Sequence, residues 1–554
     1  MTATPRPPDE GGWQGPLAAA LVEALPRLYG EPLDPLVHEV ILTLAAGLAQ
    51  GQLELPLSGP APEGISAAAW PEGHRQALSR SRLCQAPDGP LALVADSAVA
   101  WRRWSEQRDQ VLAELLARAA RPPAWADRPT AQRPPTRSQD EVPEQLPPLG
   151  DQQLHAVAAL KRHGLVLLEG GPGTGKTSTV RGLLAELRQH QPEARVQLAA
   201  PTGKAAARLR AACDATVPCT TVHRLLESQG DRFQRHRRNP LALDLLVLDE
   251  VSMLDQALMA AVLEALPSSC QLVLVGDAAQ LPPIAPGAVL QELQRADRRQ
   301  QLGSAAITLT RVYRNAGSIA AVAAQLRKGL EAGTPPLEPL RPLLQQLGPS
   351  DNLAWQEADS TVAPMAALYA ARQQQQRLAA LAQSWHQATA ADRPALQTQL
   401  LQQRERVLLL TPRRRGRWGV EGLHQHLLGE RAQRPADQWP SGTPVLCCRN
   451  LPELGLANGD LGVLVGPEDN TAQRRLLFEA PGQPNEVLVL HPALLAGAVE
   501  PALALTVHKA QGSEADEVIV LLAHPEASDG RLLYTALTRA RQRALLITGR
   551  GRRG

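Results

Sequence analysis

The string GGPGTGKT at residues 170–177 narrows most sharply what this chain can become. It fits G-x-x-x-x-G-K-[ST] and falls directly between the apolar run GLVLLEG and a helical pattern, the strand–turn–helix setting that a phosphate-cradling loop requires. Glycines there let main-chain N–H groups curl round phosphates at a helix N-terminus, where the helix dipole favours negative charge. The expected nucleotide loop is therefore Gly170, Gly171, Pro172, Gly173, Thr174, Gly175, Lys176, Thr177 and Ser178. Lys176 is placed to neutralise the β- and γ-phosphates of ATP and Thr177 to ligate Mg²⁺.

Further along, DLLVLDE ends a buried-looking strand with Asp249 and Glu250. Adjacent carboxylates at the carboxyl end of a parallel strand suit a metal ion and an attacking water, so Asp249 is assigned to Mg²⁺ and Glu250 to general base. The runs GLVLLEG, VQLAAPTG, DLLVLDEV and QLVLVGD are each followed by a helical pattern, which predicts a parallel sheet covered by helices. These features alone define a P-loop ATPase, a class shared by transport, signalling and nucleic-acid proteins.

At 554 residues the chain exceeds a single hydrophobic core and is expected to form several domains. Residues 17–50 and a stretch near 97–119 read as helices, giving an all-helical N-terminal module over residues 1–120. Residues 121–149 hold Pro122, Pro123, Pro129, Pro134, Pro135, Pro143, Pro147 and Pro148, too many for a helix or central strand, and are read as an extended linker. An α/β domain over 150–316 and a second over 317–554 follow. Short strands between turn signals at about 442–498 read as a small SH3-like β-barrel inserted in the second.

Six scattered cysteines with no CxxC pair fit neither a disulfide framework nor a zinc site. The start MTATPRPPDEGGW has no basic or apolar leader and no apolar run is long enough to span a bilayer, so the expected location is cytoplasmic, with no membrane partner. A formal net charge of +2 does not by itself point to nucleic acid. Among 57 basic residues only five are lysines, and Lys176, Lys204 and Lys509 all fall inside motifs, which marks positions where a compact ammonium is wanted over a planar fork.

Six further blocks, in order, resemble superfamily 1 DNA helicases, and the resemblance carries the following roles. GDQQLHAVAAL supplies Gln153, whose amide would read the adenine edge, since an amide can pair with both a donor and an acceptor there. APTGKAAARL and TTVHRLL are similar to motifs Ia and Ib, with Thr202, Lys204, Thr221 and His223 offered to DNA phosphates. LVLVGDAAQLPPI resembles motif III, with Asp277 beyond a strand and Gln280 as sensor of the γ-phosphate. LTRVYRNAGSI carries Arg314 of motif IV, ALTVHKAQGSEADEV carries Thr506, His508 and Lys509 of motif V for DNA, and YTALTRAR carries Arg539 of motif VI. Arg314 and Arg539 would act as arginine fingers on the ATP. Tyr313 and Trp418 are candidates for base stacking.

Within that superfamily the chain resembles the RecD family, alpha subunits of exodeoxyribonuclease V. The resemblance rests on LDPLVHEVILTLAAGLAQGQLELPL, on LTPRRRGRWGVEGLHQHL and on GTPVLCCRNLPELGLANGDLGVLVG. It implies two RecA-like α/β domains, 5′-to-3′ movement on single-stranded DNA entered from double-strand ends, and RecB-like and RecC-like partners holding the nuclease. A stand-alone helicase and a non-translocating ATP-switched DNA-binding subunit remain as alternatives.

Overall fold

A computed structural model describes residues 14–48, 52–94, 97–126, 149–213, 216–230, 232–313, 317–332, 337–480 and 486–550. Two parallel sheets organise it. The first has the order 306–309, 165–170, 271–276, 245–248, 196–200, 219–221, and each described pairing is parallel. Its central strands Leu165–Gly170, Leu245–Leu248 and Gln271–Gly276 are buried at every position, so they carry continuous apolar runs rather than an alternating pattern. Sheet order sets the three strands side by side, so the loops after Gly170, Leu248 and Gly276 emerge together at one carboxyl edge, where such sheets take their ligands.

The second sheet runs 353–358, 540–549, 515–522, 407–411, 505–506, again parallel throughout its described pairs. Between Val407–Thr411 and Leu505–Thr506 the chain leaves to form a five-stranded antiparallel sheet, ordered 487–490, 475–479, 461–465, 444–447, 499–501. The helices Met365–Gln387 and Arg393–Arg404 tie this insertion down, because Leu378, Ala382, Trp385 and Leu400 share one core with Val463, Val465 and Leu477.

Two sequence expectations need correction. The N-terminal module is not all helical: Glu54–Pro56, Leu91–Val94 and Ala98–Trp101 pair as a small antiparallel sheet beside the helices Gln14–Tyr29 and Pro35–Leu48. Three- and four-residue strands are too short to show an alternating period, so helical spacing dominates the local signal. The helix Arg102–Ala120, assigned to that module, belongs instead to the core of the first α/β unit, where Val111, Leu112, Leu115 and Ala119 are buried with Leu258, Met259 and Val262. Arg118 seals the contact by donating to the carbonyls of Pro267 at 3.1 Å and Cys270 at 2.9 Å. Trp125 donates to the Gln271 side chain at 3.0 Å, so the proline-rich segment leaves from a packed start, while 127–148 lie outside the described residues. No described helix is long and apolar enough to cross a membrane.

Candidate active site between the two sheets

A cavity of about 350 Å³ opens at the carboxyl edge of the first sheet and is closed from the other side by the second α/β unit. Its floor is the loop after Leu165–Gly170. Gly175 takes φ +84 as it starts the helix Lys176–His190, a left-handed conformation, and a side chain there would meet the Gln153 amide nitrogen at 2.6 Å. Gly171, Pro172, Gly173, Lys176, Thr177 and Ser178 line the cavity. Thr174 is buried, its hydroxyl donating to the Gly171 carbonyl at 2.8 Å, and so braces the loop from behind. The Lys176 ammonium donates to the carbonyls of Gly170 at 2.6 Å and Gly171 at 3.0 Å, holding it over the space a phosphate would fill.

Gln153 is buried at the rim, accepting from the Gly150 N–H at 2.9 Å and donating to the Gly175 carbonyl at 3.1 Å. Beside it stands Tyr313, tied by its main-chain N–H to the Gly173 carbonyl at 2.8 Å, with the Arg311 guanidinium 5.1 Å from its ring centre. Tyr313 therefore faces the nucleotide cavity and can cover a flat base there. Arg314 lies outside the described residues.

Asp249 and Glu250 line the cavity opposite the loop. Glu250 sits at φ +52, a left-handed conformation uncommon for a residue with a side chain, and its N–H donates to Asp249 Oδ1 at 2.8 Å. Burial, and then the neighbouring Glu250, push the Asp249 carboxyl up to about 6, against the pull of Lys176. The donor set fits a divalent ion: a hydroxyl on Thr177 and the buried Asp249 carboxylate, whose charge Lys176 and Arg208 offset only in part. When bound, Mg²⁺ would neutralise phosphate charge. Protons and metal then compete for Asp249. The Mg²⁺ concentration giving half-maximal ATP turnover is expected to rise as pH falls through about 6; a requirement that stays flat across that range would detach Asp249 from the metal.

The other wall comes from the second unit. Arg539 lines the cavity with Thr538, is only 3% exposed, and donates from Nε to the Thr535 carbonyl at 3.1 Å. Gln280 lines it too, from a loop clamped between the units. In that clamp the Tyr534 hydroxyl donates to Asp277 Oδ2 at 2.7 Å and the Leu281 N–H donates to the Thr535 hydroxyl at 2.8 Å. Arg327 adds ion pairs to Glu169 at 2.7 Å and Asp277 at 3.4 Å. The cavity-lining loop that carries Gln280 is thus mechanically joined to the second unit.

Of the seven DNA candidates, Thr202, Lys204, Thr221 and His223 sit at strand-to-helix turns, while Thr506, His508 and Lys509 sit where the strand Leu505–Thr506 passes into a turn before Ala515–Leu522; most of their polar atoms are committed to this arrangement. Thr202 and Thr221 cap the helices Gly203–Ala212 and Val222–Leu225, accepting from the N–H groups of Ala205 and Arg224. Thr506 accepts from the Lys509 N–H at 3.3 Å. Lys204 donates to the Ser513 hydroxyl of the second unit at 3.0 Å, and burial brings its ammonium down to about 7. Lys509 pairs with Glu500. His223 is exposed and His508 half-buried. Trp418 is 3% exposed and donates to the Val362 carbonyl at 2.8 Å, so it is a packing residue rather than a base stacker. Arg208, one helical turn beyond Lys204, lines the nucleotide cavity and reaches Glu514 and the Gly512 carbonyl. Its i+4 spacing from a motif lysine is the signal that could have found it.

Residues 153–286 match the model of an AAA domain and residues 501–547 that of a UvrD-like helicase C-terminal domain. The RecBCD enzyme subunit RecD of Mycolicibacterium smegmatis is 34% identical, over 90% of this chain and 84% of its own length. The chain belongs to the RecD family. It is accordingly an ATP-dependent DNA helicase with RecA-like α/β sheets. Among other RecD relatives, the ATP-dependent RecD2 DNA helicase of Deinococcus radiodurans is 34% identical over 71% of this chain but 48% of its own length. A solved structure of Bacteroides Pif1 bound to single-stranded DNA aligns with 72% of this chain and 91% of its own at 18% identity and a TM-score of 0.39.

Proposed function

We propose that this chain is the RecD-type motor of a RecBCD-type helicase-nuclease, moving 5′ to 3′ along one strand from a double-strand end, with RecB-like and RecC-like partners supplying the nuclease. The observation that carries this reading is the cavity lined by Lys176 and Glu250 from one unit and by Arg539 from the other. Lys176 carries phosphate charge, Glu250 takes a proton from the attacking water, and Gln280 reports the γ-phosphate to the clamped loop; Thr177 and Asp249 would hold Mg²⁺, which when bound would neutralise further phosphate charge. Arg314 joins Arg539 as the second finger. Negative charge in the cavity draws the units together, and its loss lets them part. Thr202, Lys204, Thr221 and His223 on one unit, and Thr506, His508 and Lys509 on the other, then grip DNA in turn. Lys204 and Lys509 must first release Ser513 and Glu500.

The reading takes residues before Arg102 as the partner-docking module, 121–149 as linker, and the 442–498 insertion as a barrel that closes over the motor. The RecBCD enzyme subunit RecD match over most of the chain favours a complex; the RecD2 match favours a helicase acting alone. Duplexes with either a 5′ or a 3′ single-stranded tail separate these points: the account expects unwinding of the 5′-tailed substrate, and preference for the 3′ tail would reverse the polarity. Deleting residues 1–101, rather than 1–120, is expected to leave ATPase activity and abolish co-purification with RecB-like and RecC-like subunits. Unchanged co-purification would reject the docking role.

A further inference from the structure

The segment 413–417, RRRGR, places four arginines in five residues directly after the strand Val407–Thr411. So many guanidiniums in one loop repel each other unless each finds an anion. Arg414 finds two, pairing with Glu421 at 3.1 Å and Glu500 at 2.9 Å. Arg413, Arg415 and Arg417 are exposed and have no ion pair or side-chain hydrogen bond among the described residues. Together with Ser360, His524 and Asp529 they line a cavity of about 310 Å³.

The loop is firmly held beneath these free side chains. Gly416 makes the turn at φ +96, and the N–H groups of Val420 and Glu421 donate to the carbonyls of Arg413 and Arg414 at 3.1 and 3.0 Å. The Thr411 hydroxyl donates to the Trp418 carbonyl at 2.8 Å, and the buried indole anchors the far end on Val362. The cavity lies at the carboxyl ends of Leu353–Ala358, Val407–Thr411 and Ala515–Leu522, the edge at which open α/β sheets take ligands. Asp529, its one carboxylate, is occupied in capping the helix Gly530–Leu537, accepting from the Arg531 N–H at 2.9 Å.

We propose that Arg413, Arg415 and Arg417 form a binding site for the sugar-phosphate backbone of single-stranded DNA, beside motif V. This deepens, and rests on, the DNA-motor reading above. Arginine forks match phosphate oxygens in pairs, and three of them on one rigid loop suit a ligand that repeats its charge along its length. Thr411, which leads into the arginine loop, pairs in register with Thr506 of motif V, so both segments leave neighbouring strands at the same sheet edge and the site continues the motif rather than standing apart from it. Next to Ser360, the exposed Val362, Met365 and Tyr369 offer apolar and aromatic surface on which bases can rest. An acidic segment of a partner protein is the rival occupant, and the salt dependence of DNA binding distinguishes the two.

The test is equilibrium binding of fluorescent oligo(dT) to the full chain across a salt series, for wild type and for Arg413→Gln/Arg415→Gln/Arg417→Gln. Each lost phosphate contact flattens the plot of log affinity against log salt by about 0.7 for single strands, so the triple variant is expected to flatten it by about 2. The corresponding triple Arg→Lys variant should recover most of the slope, which a purely structural role for the loop would not produce. If the triple variant unfolds at a lower temperature than wild type, Arg415→Gln alone is used, with an expected change of about 0.7. A slope equal to that of wild type overturns the proposal and leaves the loop to a protein partner. Failure of wild type to bind oligo(dT) overturns the DNA-motor reading itself.

Discussion

Arg539→Ala is expected to lower kcat for ATP hydrolysis by about 10³–10⁵, the range over which an arginine finger acts on phosphoryl transfer. The side chain enters the nucleotide cavity from the second unit, is 3% exposed, and is aimed by its bonds to the carbonyls of Thr535 at 3.1 Å and Ser513 at 3.5 Å. Alanine removes the charge and leaves the clamp of Tyr534 on Asp277 and of Thr535 on Leu281 in place, so nucleotide-free affinity for single-stranded DNA should hold. Arg539→Lys keeps a charge but not the planar fork and should fall between the two. Single-turnover hydrolysis checks this; a kcat within about tenfold of wild type would remove Arg539 from the transition state.

Lys176→Ala comes second. The ammonium is poised by the Gly170 and Gly171 carbonyls above the phosphate space, and no other lysine lines the cavity. Losing such a clamp costs at least about 10²–10³ in turnover, and here nucleotide affinity should fall as well, since the charge acts on bound ATP before reaction. Lys176 and Arg539 line one cavity and are proposed to act on one transferring group, so the double variant should be little slower than the slower single variant. Steady-state turnover and nucleotide titration together decide it: retained hydrolysis would sink the site assignment.

How much of this was legible in the sequence follows from how local each feature is. Gly170–Thr177, Asp249, Glu250 and Gln280 are legible because each follows the end of a strand of the first sheet, and parallel order brings those ends to one edge whatever the intervening chain does; Arg539 stands between the helix Gly530–Leu537 and the start of the strand Ala540–Gly549 and is legible only through its motif. The commitment of Lys204 to Ser513 was not, since a motif string identifies an ammonium but not a partner 309 residues away. Tyr313 is an aromatic beside an arginine in sequence, and only the fold shows that it lines the nucleotide cavity. The helix Arg102–Ala120 announces an apolar face by its spacing, but spacing does not say which core receives it. For Trp418, a base-stacking candidate by residue type, the sequence does not show burial, and its indole is the anchor that shapes the arginine loop.

The most direct test of a nucleotide cleft coupled to DNA is ATP turnover of the purified chain with and without single-stranded oligonucleotide, at low and high salt. Lys204, a proposed DNA contact, is bound to Ser513 of the second unit, so the proposed DNA grip and cleft closure are coupled there, and phosphate contacts weaken steeply with salt. The account expects strong stimulation by the oligonucleotide that fades as salt rises. Turnover indifferent to DNA at every salt concentration would contradict it.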